Sequence, residues 1–266
     1  MSEYINIAIL AIVQGLTEFL PVSSSGHLVV LQNWINTENS NLTVTVFMHL
    51  GTLFSVMYIF RSDLVTLLKD FAGSLGKGKL KRGKMVWLII AANIPAGIAG
   101  IFLKDSIEAV FTDTKWTLIF LTVTAFFLLL SRFIKKKELD FSQITLLYAI
   151  LIGISQMFAI LPGISRSGIT IVTAMLLGIK SESAAKFSFF IMLPAVGGAF
   201  LLELFSTGIS GAGLLPLLLG VAVSFSSGCL AIKLLYSSLN KDRLYLFSYY
   251  LFIIVTAATA VMIIQS

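Results

Sequence analysis

Two apolar segments of this chain, residues 4–31 and 143–179, are interrupted near the middle by proline, glycine and polar residues. A helix needs roughly 20 apolar residues to cross a bilayer, and the pieces on either side of each break are shorter. Two half-length helices around a break reach the middle of a membrane and return. Irregular backbone at that depth is tolerated only inside protein or beside a water-filled cavity. The sequence therefore predicts two re-entrant hairpins with protected tips.

The remainder of the chain has the composition of a polytopic membrane protein. Of its residues, 57% are hydrophobic and 12% are charged, whereas soluble domains carry about 25% charge. The net charge of +6 is explained by basic cytoplasmic loops, so no nucleic-acid partner is expected. Cys229, the single cysteine, excludes a disulfide within the chain. Six further segments are apolar enough to span: 46–60, 85–103, 116–131, 185–205, 214–236 and 245–264.

The basic residues predict the topology. If each hairpin enters and leaves on one side, each half contains one hairpin and three spans, and the second half is inverted. Sixteen of the 19 Lys and Arg residues then share one side, which is the cytoplasmic side by the positive-inside rule. Treating 145–161 as a plain span would move two of them, Lys241 and Arg243, to the outer side. The sixteen are Arg61, Lys69, Lys77, Lys79, Lys81, Arg82, Lys84, Arg132, Lys135, Lys136, Lys137, Lys180, Lys186, Lys233, Lys241 and Arg243.

Only Lys104 and Lys115 fall outside, and Arg166 lies in the second hairpin. The predicted fold is therefore an all-α polytopic membrane protein built as an inverted-topology repeat. Each half is one re-entrant helical hairpin plus three transmembrane helices, which gives six full spans and two hairpins. The chain is expected to form one transmembrane domain, 1–266, with halves of about 1–140 and 141–266. Both termini are expected outside.

Ionisable residues at membrane depth are expensive, so those of the hairpins are functional candidates. In the first hairpin, Gln14 and Glu18 share a helical face and Pro21 ends that helix. The serines that follow can cap a second half-helix, at whose start His27 and Ser24 can meet. The candidates of the first hairpin are Gln14, Glu18, Ser23, Ser24, Ser25 and His27.

In the second hairpin the break is Pro162-Gly163, after which Ser165 can cap the next half-helix. Two helix N-termini that face one cavity form an anion site, for which phosphate is the natural ligand. Arg166 adds a planar fork suited to phosphate oxygens. The candidates of this hairpin are Ser165, Arg166, Ser167, Gly168 and Thr170, with Arg166 counted among the catalytic residues.

The first hairpin is expected to supply the reacting groups. Ser24 is the first choice as nucleophile, with His27 and Glu18 transferring protons; direct attack by water activated by Glu18 or His27 stays open. Glu18, with Gln14, can instead hold a divalent cation that bridges phosphate oxygens. A cage made of protein ligands alone is not expected with so few carboxylates. For His49, on a predicted span, packing or hydrogen bonding is the favoured role.

The runs Gln14–His27 and Pro162–Thr170 resemble the two signatures of the undecaprenyl-diphosphate phosphatase family of the bacitracin-resistance type. The similarity covers the whole chain, including the stretch 185–194. It implies hydrolysis of undecaprenyl diphosphate, recycling of the lipid carrier for wall polymers, bacitracin resistance, and a divalent cation, Mg²⁺ or Ca²⁺. It also implies a bacterial plasma membrane and a site that opens to the outer face. Some members carry Glu where this chain has Gln14, which weakens a metal role there.

Other functions share parts of this pattern. A polyprenyl-phosphate flippase or an ion-coupled secondary transporter would use the same inverted repeat. Phosphatases of the phosphatidic-acid-phosphatase type also use Ser-Gly-His and Arg, but their Lys-xxxxxx-Arg-Pro signature is absent here. An intramembrane serine protease would not need Arg166. The expected partners are the polyprenyl diphosphate substrate and membrane lipids; monomer and homodimer both stay open.

Overall fold

The computed structural model describes residues 3–34, 42–74, 83–102, 114–135, 137–207 and 213–265. Within these ranges the only strand-like feature is an isolated bridge between Leu139 and Ile179, so the all-α prediction is confirmed. The described helices are α1 (Glu3–Phe19), α2 (Ser24–Trp34), α3 (Leu42–Ile59), α4 (Arg61–Ser74), α5 (Lys84–Phe102), α6 (Thr114–Leu130), α7 (Leu146–Phe158), α8 (Arg166–Leu176), α9 (Ser181–Thr207), α10 (Leu214–Leu239) and α11 (Leu246–Gln265).

Five of these helices, α5, α6, α9, α10 and α11, are long and apolar enough to cross a membrane. The sixth candidate is α3, which reaches that length only together with α4, and α4 is bent from it by 80°. These six match the predicted spans to within a few residues. The helices on either side of the two predicted breaks have 17, 11, 13 and 11 residues. The chain is therefore a multi-pass membrane protein with two broken segments.

Helix α4 lies between the predicted spans 46–60 and 85–103, where the basic sequence of residues 61–84 predicts a cytoplasmic loop. Within α4, Leu64 and Leu67 pack against the core while Val65 and Leu68 are exposed. The two core-facing leucines are three residues apart, which is a helical spacing. The charged residues around them make that pattern weak in the sequence. The loop prediction is therefore wrong for the first part of this segment. Several residues of the basic count lie outside the described residues: Lys77, Lys79, Lys81, Arg82, Lys104 and Lys136.

Ion pairs gather several helix ends at one end of the molecule, the basic end. They are Lys186–Asp63 at 2.6 Å, Lys180–Asp140 at 2.8 Å, and Lys137–Asp242. These residues lie just after α3, α6, α8 and α10, or at the start of α9. Since α7 begins after Asp140 and α8 ends before Lys180, the second hairpin enters and leaves at the basic end.

The first hairpin enters from the opposite end. Ile7 in the first half of α1 packs in one cluster with Leu28 of α2, Val44 of α3 and Leu217 of α10. Because α3 and α10 finish at the basic end, their first turns mark the other end. The two hairpins are thus inverted relative to each other, as the sequence predicts.

The first helix of each half packs against a span of the other half. Helix α1 packs against α10, and α7, its counterpart in the second half, packs against α5. Glycines allow these close approaches: a Cβ on Gly153 of α7 would lie 2.3 Å from the carbonyl oxygen of Ala92. The packing joins the halves into one core. The division into halves near residue 140 stays a prediction.

We expect Gly153→Ala to destabilise the protein, because the added methyl group meets backbone that cannot rotate away. Overpacking of this kind costs about 1–3 kcal/mol, which exceeds the helix propensity that alanine adds. Gly97→Ala is the matched control, since a Cβ there meets nothing within 4 Å. Thermal unfolding in detergent should show a lower Tm for Gly153→Ala alone; equal Tm values for both variants would contradict the close α5–α7 contact.

Candidate active site

The two breaks make the same capping hydrogen bond at the start of the helix that follows. At each, the N-cap serine hydroxyl accepts the amide N–H three residues later, at 3.3 Å for Ser23 and 3.1 Å for Ser165. Each hydroxyl also lies 3.3 Å from that of the serine two positions on, Ser25 or Ser167. A capping serine satisfies one of the N–H groups that a helix start leaves unpaired. Helices α2 and α8 therefore both begin with N–H groups at the protected tips.

The two tips contact each other reciprocally. A Cβ on Gly26 of α2 would lie 3.3 Å from Gly163 in the second break, and one on Gly168 of α8 would lie 3.3 Å from Pro21 in the first. The Ser167 hydroxyl donates to the Leu20 carbonyl at 3.3 Å. Each break thus packs against the first turn of the other hairpin, which brings both helix starts to one place.

Glu18 links three residues at this junction. Its Oε1 forms an ion pair with Arg166 of the other hairpin. Its Oε2 accepts hydrogen bonds from Ser24 Oγ at 2.6 Å and from Gln14 Nε2 at 3.0 Å. The carboxylate side chain is only 5% exposed, and a buried charge requires such partners. A hydroxyl that donates to a neighbouring acceptor at this distance meets the geometric requirement for a nucleophile and its general base.

A cavity of about 410 Å³ opens beside this cluster. Arg166 lines it, and the Nη1 atom of this side chain is buried without a hydrogen-bond partner among the described residues. Its polar wall is formed by Thr17, Glu18, Ser23, Ser24, Ser25, His49, Ser165 and Arg166. Its apolar wall is formed by Val46, Ala159, Ile160, Ile164, Ala195, Val196, Ala199 and Phe200. An unsatisfied guanidinium next to two helix starts is a site for an anion.

Some predicted site residues stand behind the cavity wall and support it. Gln14 is fully buried beneath Glu18. Ser167 and Gly168 make the contact between the tips described above. Thr170 Oγ1 donates to the Arg166 carbonyl at 2.7 Å and lies 2.7 Å from Ser188 Oγ of α9. Six predicted residues therefore meet at the cavity, namely Glu18, Ser23, Ser24, Ser25, Ser165 and Arg166, and the others do not.

The structure does not bring His27 to the cavity. Its Nδ1 donates to the Ser23 carbonyl at 2.8 Å, and its Nε2 accepts from the Tyr250 hydroxyl of α11 at 2.9 Å. The two rings stack with centroids 5.7 Å apart. His27 therefore fixes the first turn of α2 against α11.

His49 occupies the position that the sequence suggested for His27. It lines the cavity, and its Nε2 lies 3.9 Å from Glu18 Oε2. Its Nδ1 contacts the Thr45 carbonyl at 3.0 Å. In the sequence, the only sign of this role is a histidine within an apolar span. His49 faces Glu18 because α3 packs against α1, and the local sequence does not predict that packing.

The residues present do not form a metal site of their own. No group of three His, Cys, Asp or Glu residues lies together in the described ranges, and both Glu18 oxygens already have partners. The predicted metal ligands are Glu18 and Gln14, and Gln14 Oε1 is a buried oxygen without a described hydrogen-bond partner. One carboxylate and one amide do not suffice to hold a cation, which would have to be bound largely by a ligand.

Comparisons with known proteins show the family to which this chain is similar. The family described as "Bacitracin resistance protein BacA" matches residues 7–257. An undecaprenyl-diphosphatase of Methanobrevibacter smithii is 40% identical over 264 residues, which cover 95% of each chain. One of Alkaliphilus metalliredigens is 41% identical over 254 residues, covering 91% of this chain and 92% of its own. One of Geotalea daltonii is 39% identical over 248 residues, with the same two coverages.

Thr124 of α6 braces the second break, and its removal provides a test of the site's support. Its hydroxyl donates to the Gly163 carbonyl at 2.8 Å and accepts from the Ser165 amide at 3.1 Å. Thr124→Val keeps the shape but leaves these buried groups unpaired, at about 1–3 kcal/mol each. We expect a clearly lower Tm. Thr122→Val, which removes a bond within α6 only, is the control; a similar Tm for both variants would refute the brace.

Proposed function

This chain belongs to the bacitracin resistance protein BacA family, and we propose that it hydrolyses undecaprenyl diphosphate to undecaprenyl phosphate and inorganic phosphate. The observation that carries this proposal is the Ser24–Glu18–Arg166 cluster on a cavity wall at membrane depth. It combines a nucleophile, a base and an anion-binding group where a lipid head can reach them. The names of the similar proteins identify the same substrate for those proteins.

The diphosphate binds between the two hairpin tips. Arg166, which lines the cavity, donates from its guanidinium to phosphate oxygens, and the helix starts of α2 and α8 add N–H groups and positive dipole ends. The apolar wall from α3, α9 and the second break accommodates the first isoprene units. The remaining polyprenyl chain is far longer than the cavity and extends into the bilayer. Positioning and charge stabilisation thereby supply most of the rate.

The first chemical step is attack of Ser24 Oγ on the terminal phosphorus. The Ser24 proton passes to Glu18 Oε2, which lies 2.6 Å away. The bond from this phosphorus to the bridging oxygen breaks, and undecaprenyl phosphate leaves. Water then hydrolyses phosphorylated Ser24 and releases phosphate. His27 acts on this step by fixing the first turn of α2, which carries Ser24, and Thr170 acts by holding α8.

The reaction would use a divalent cation, Mg²⁺ or Ca²⁺, that binds together with the diphosphate. Glu18, with Gln14 behind it, would be the protein group that helps to hold it, and phosphate oxygens and water would supply the other ligands. The cation would neutralise phosphate charge.

We further propose that the protein lies in a bacterial plasma membrane with its basic end in the cytoplasm. Both termini and the mouth of the cavity then face outward, since the first hairpin enters from the end opposite the basic residues. Hydrolysis at that face returns the lipid carrier to wall synthesis and lowers the amount of diphosphate that bacitracin can sequester.

We expect the purified protein to release phosphate from undecaprenyl diphosphate, and Ser24→Ala and Arg166→Lys each to lower kcat by at least about 10²-fold. Arg166→Lys keeps the charge that buried Glu18 needs and loses the fork, so folding should survive. Ser226→Ala, on an exposed part of α10, is the control. Full turnover by Ser24→Ala would refute the covalent step. Transport of lipid phosphate without phosphate release would favour the flippase, which the inverted repeat also supports.

We expect no measurable Mg²⁺ or Ca²⁺ binding by the protein alone, because one carboxylate already paired with Arg166 cannot hold a cation. Isothermal titration of the protein should give heat with cation only after a non-hydrolysable diphosphate lipid is added. Glu18→Gln, which removes the carboxylate charge, should lower the heat of cation binding in the presence of that lipid. Stoichiometric binding to the lipid-free protein would contradict this assignment.

A further inference from the structure

We propose that His49 positions the water that hydrolyses phosphorylated Ser24, an inference that rests on the proposed function. The covalent step leaves a problem that the predicted residues do not solve. After the first step Glu18 Oε2 carries the Ser24 proton, which it must return to the departing Ser24 oxygen. It is then a donor, and a different group has to accept a hydrogen bond from the attacking water.

The wall of the cavity offers few such acceptors. Its polar side chains, apart from Glu18 and His49, are hydroxyls and the Arg166 guanidinium. Ser23 and Ser165 use their oxygens in helix caps, and a guanidinium has no acceptor. Among the described wall residues, His49 therefore provides the one imidazole nitrogen available to a water.

The hydrogen bonds of His49 select the tautomer. Nδ1 faces the Thr45 carbonyl at 3.0 Å, so this nitrogen carries the hydrogen and donates it. Nε2 of the neutral ring is then an acceptor. It lies 3.9 Å from Glu18 Oε2, which is too long for a hydrogen bond, so Nε2 has no hydrogen-bond partner among the described residues, and His49 lines the cavity.

The position of this nitrogen fits a second attack at Ser24. Ser24 Oγ lies 2.6 Å and His49 Nε2 lies 3.9 Å from the same Glu18 oxygen, so their separation cannot exceed the sum of these distances. The cavity of about 410 Å³ that both residues line has room for a phosphoryl group on Ser24 and one water next to the imidazole. The His49 side chain is also 32% exposed, so water reaches it through the mouth of the cavity.

In the second step the water oxygen forms a bond to phosphorus, and the bond from phosphorus to Ser24 Oγ breaks. Ser24 recovers the proton that Glu18 held, and the proton of the water passes through His49 Nε2 to bulk water. Inorganic phosphate leaves, and the Ser24–Glu18–Arg166 cluster is restored.

Rapid-quench kinetics with undecaprenyl diphosphate separate the two steps. In His49→Ala we expect undecaprenyl phosphate to appear at the wild-type rate up to one equivalent of enzyme, followed by phosphate release about 10²-fold slower than in the wild type. KM should not rise. His49→Gln retains an acceptor oxygen and should recover most of the rate. His49→Leu fills the volume without an acceptor and should behave like His49→Ala. It is the control for a folding defect that the smaller alanine side chain could cause.

The alternatives give different results. Equal slowing of both products in His49→Ala and His49→Leu would mean that the residue only shapes the site, which overturns the inference. Unchanged phosphate release, or a His49→Gln variant as slow as His49→Leu, would also overturn it. If the wild type releases no phosphate at all, the proposed function fails first; an active wild type with an indifferent His49 leaves that function intact and removes only this inference.

Discussion

The ion pair between Glu18 and Arg166 holds this structure's site together. Each charge alone would be costly at membrane depth, and together they compensate each other across the two hairpins. The pair can form only when hairpins that enter from opposite ends meet tip to tip. The anion site, the Ser24 hydroxyl bond and the cavity wall all depend on that meeting. The packing that joins the two hairpins therefore also assembles the site.

The two hairpins share one pattern of serine hydrogen bonds at their tips. At both tips a serine caps the helix and a second serine lies two positions on. Between these serines the first tip has Ser24 and the second has Arg166. The residue just after the cap is therefore a hydroxyl in one half and a guanidinium in the other. Glu18 joins the two, so that an inverted repeat forms an asymmetric site.

The sequence predicted what depends on local pattern. Apolar runs and prolines located the spans and the breaks, and the cost of buried charge singled out Glu18 and Arg166. It did not predict which histidine faces the cavity. His27 and His49 are each on a helix, and only the packing of α2 against α6 and of α3 against α1 sets their rotation. The rotation of α8 is equally hidden from the sequence. Thr170 was therefore predicted to bind phosphate, whereas its hydroxyl faces Ser188 on α9.

Each hairpin is braced by the last span of the other half. Thr124 of α6 bonds the break of the second hairpin, and Tyr250 of α11 bonds His27 of the first. Helices α6 and α11 also pack against each other. We therefore expect a change in either brace to alter the relation of the two tips, and with it the distance from Ser24 to Arg166. By this argument His27 affects turnover without touching phosphate, because it fixes the helix start that carries Ser24.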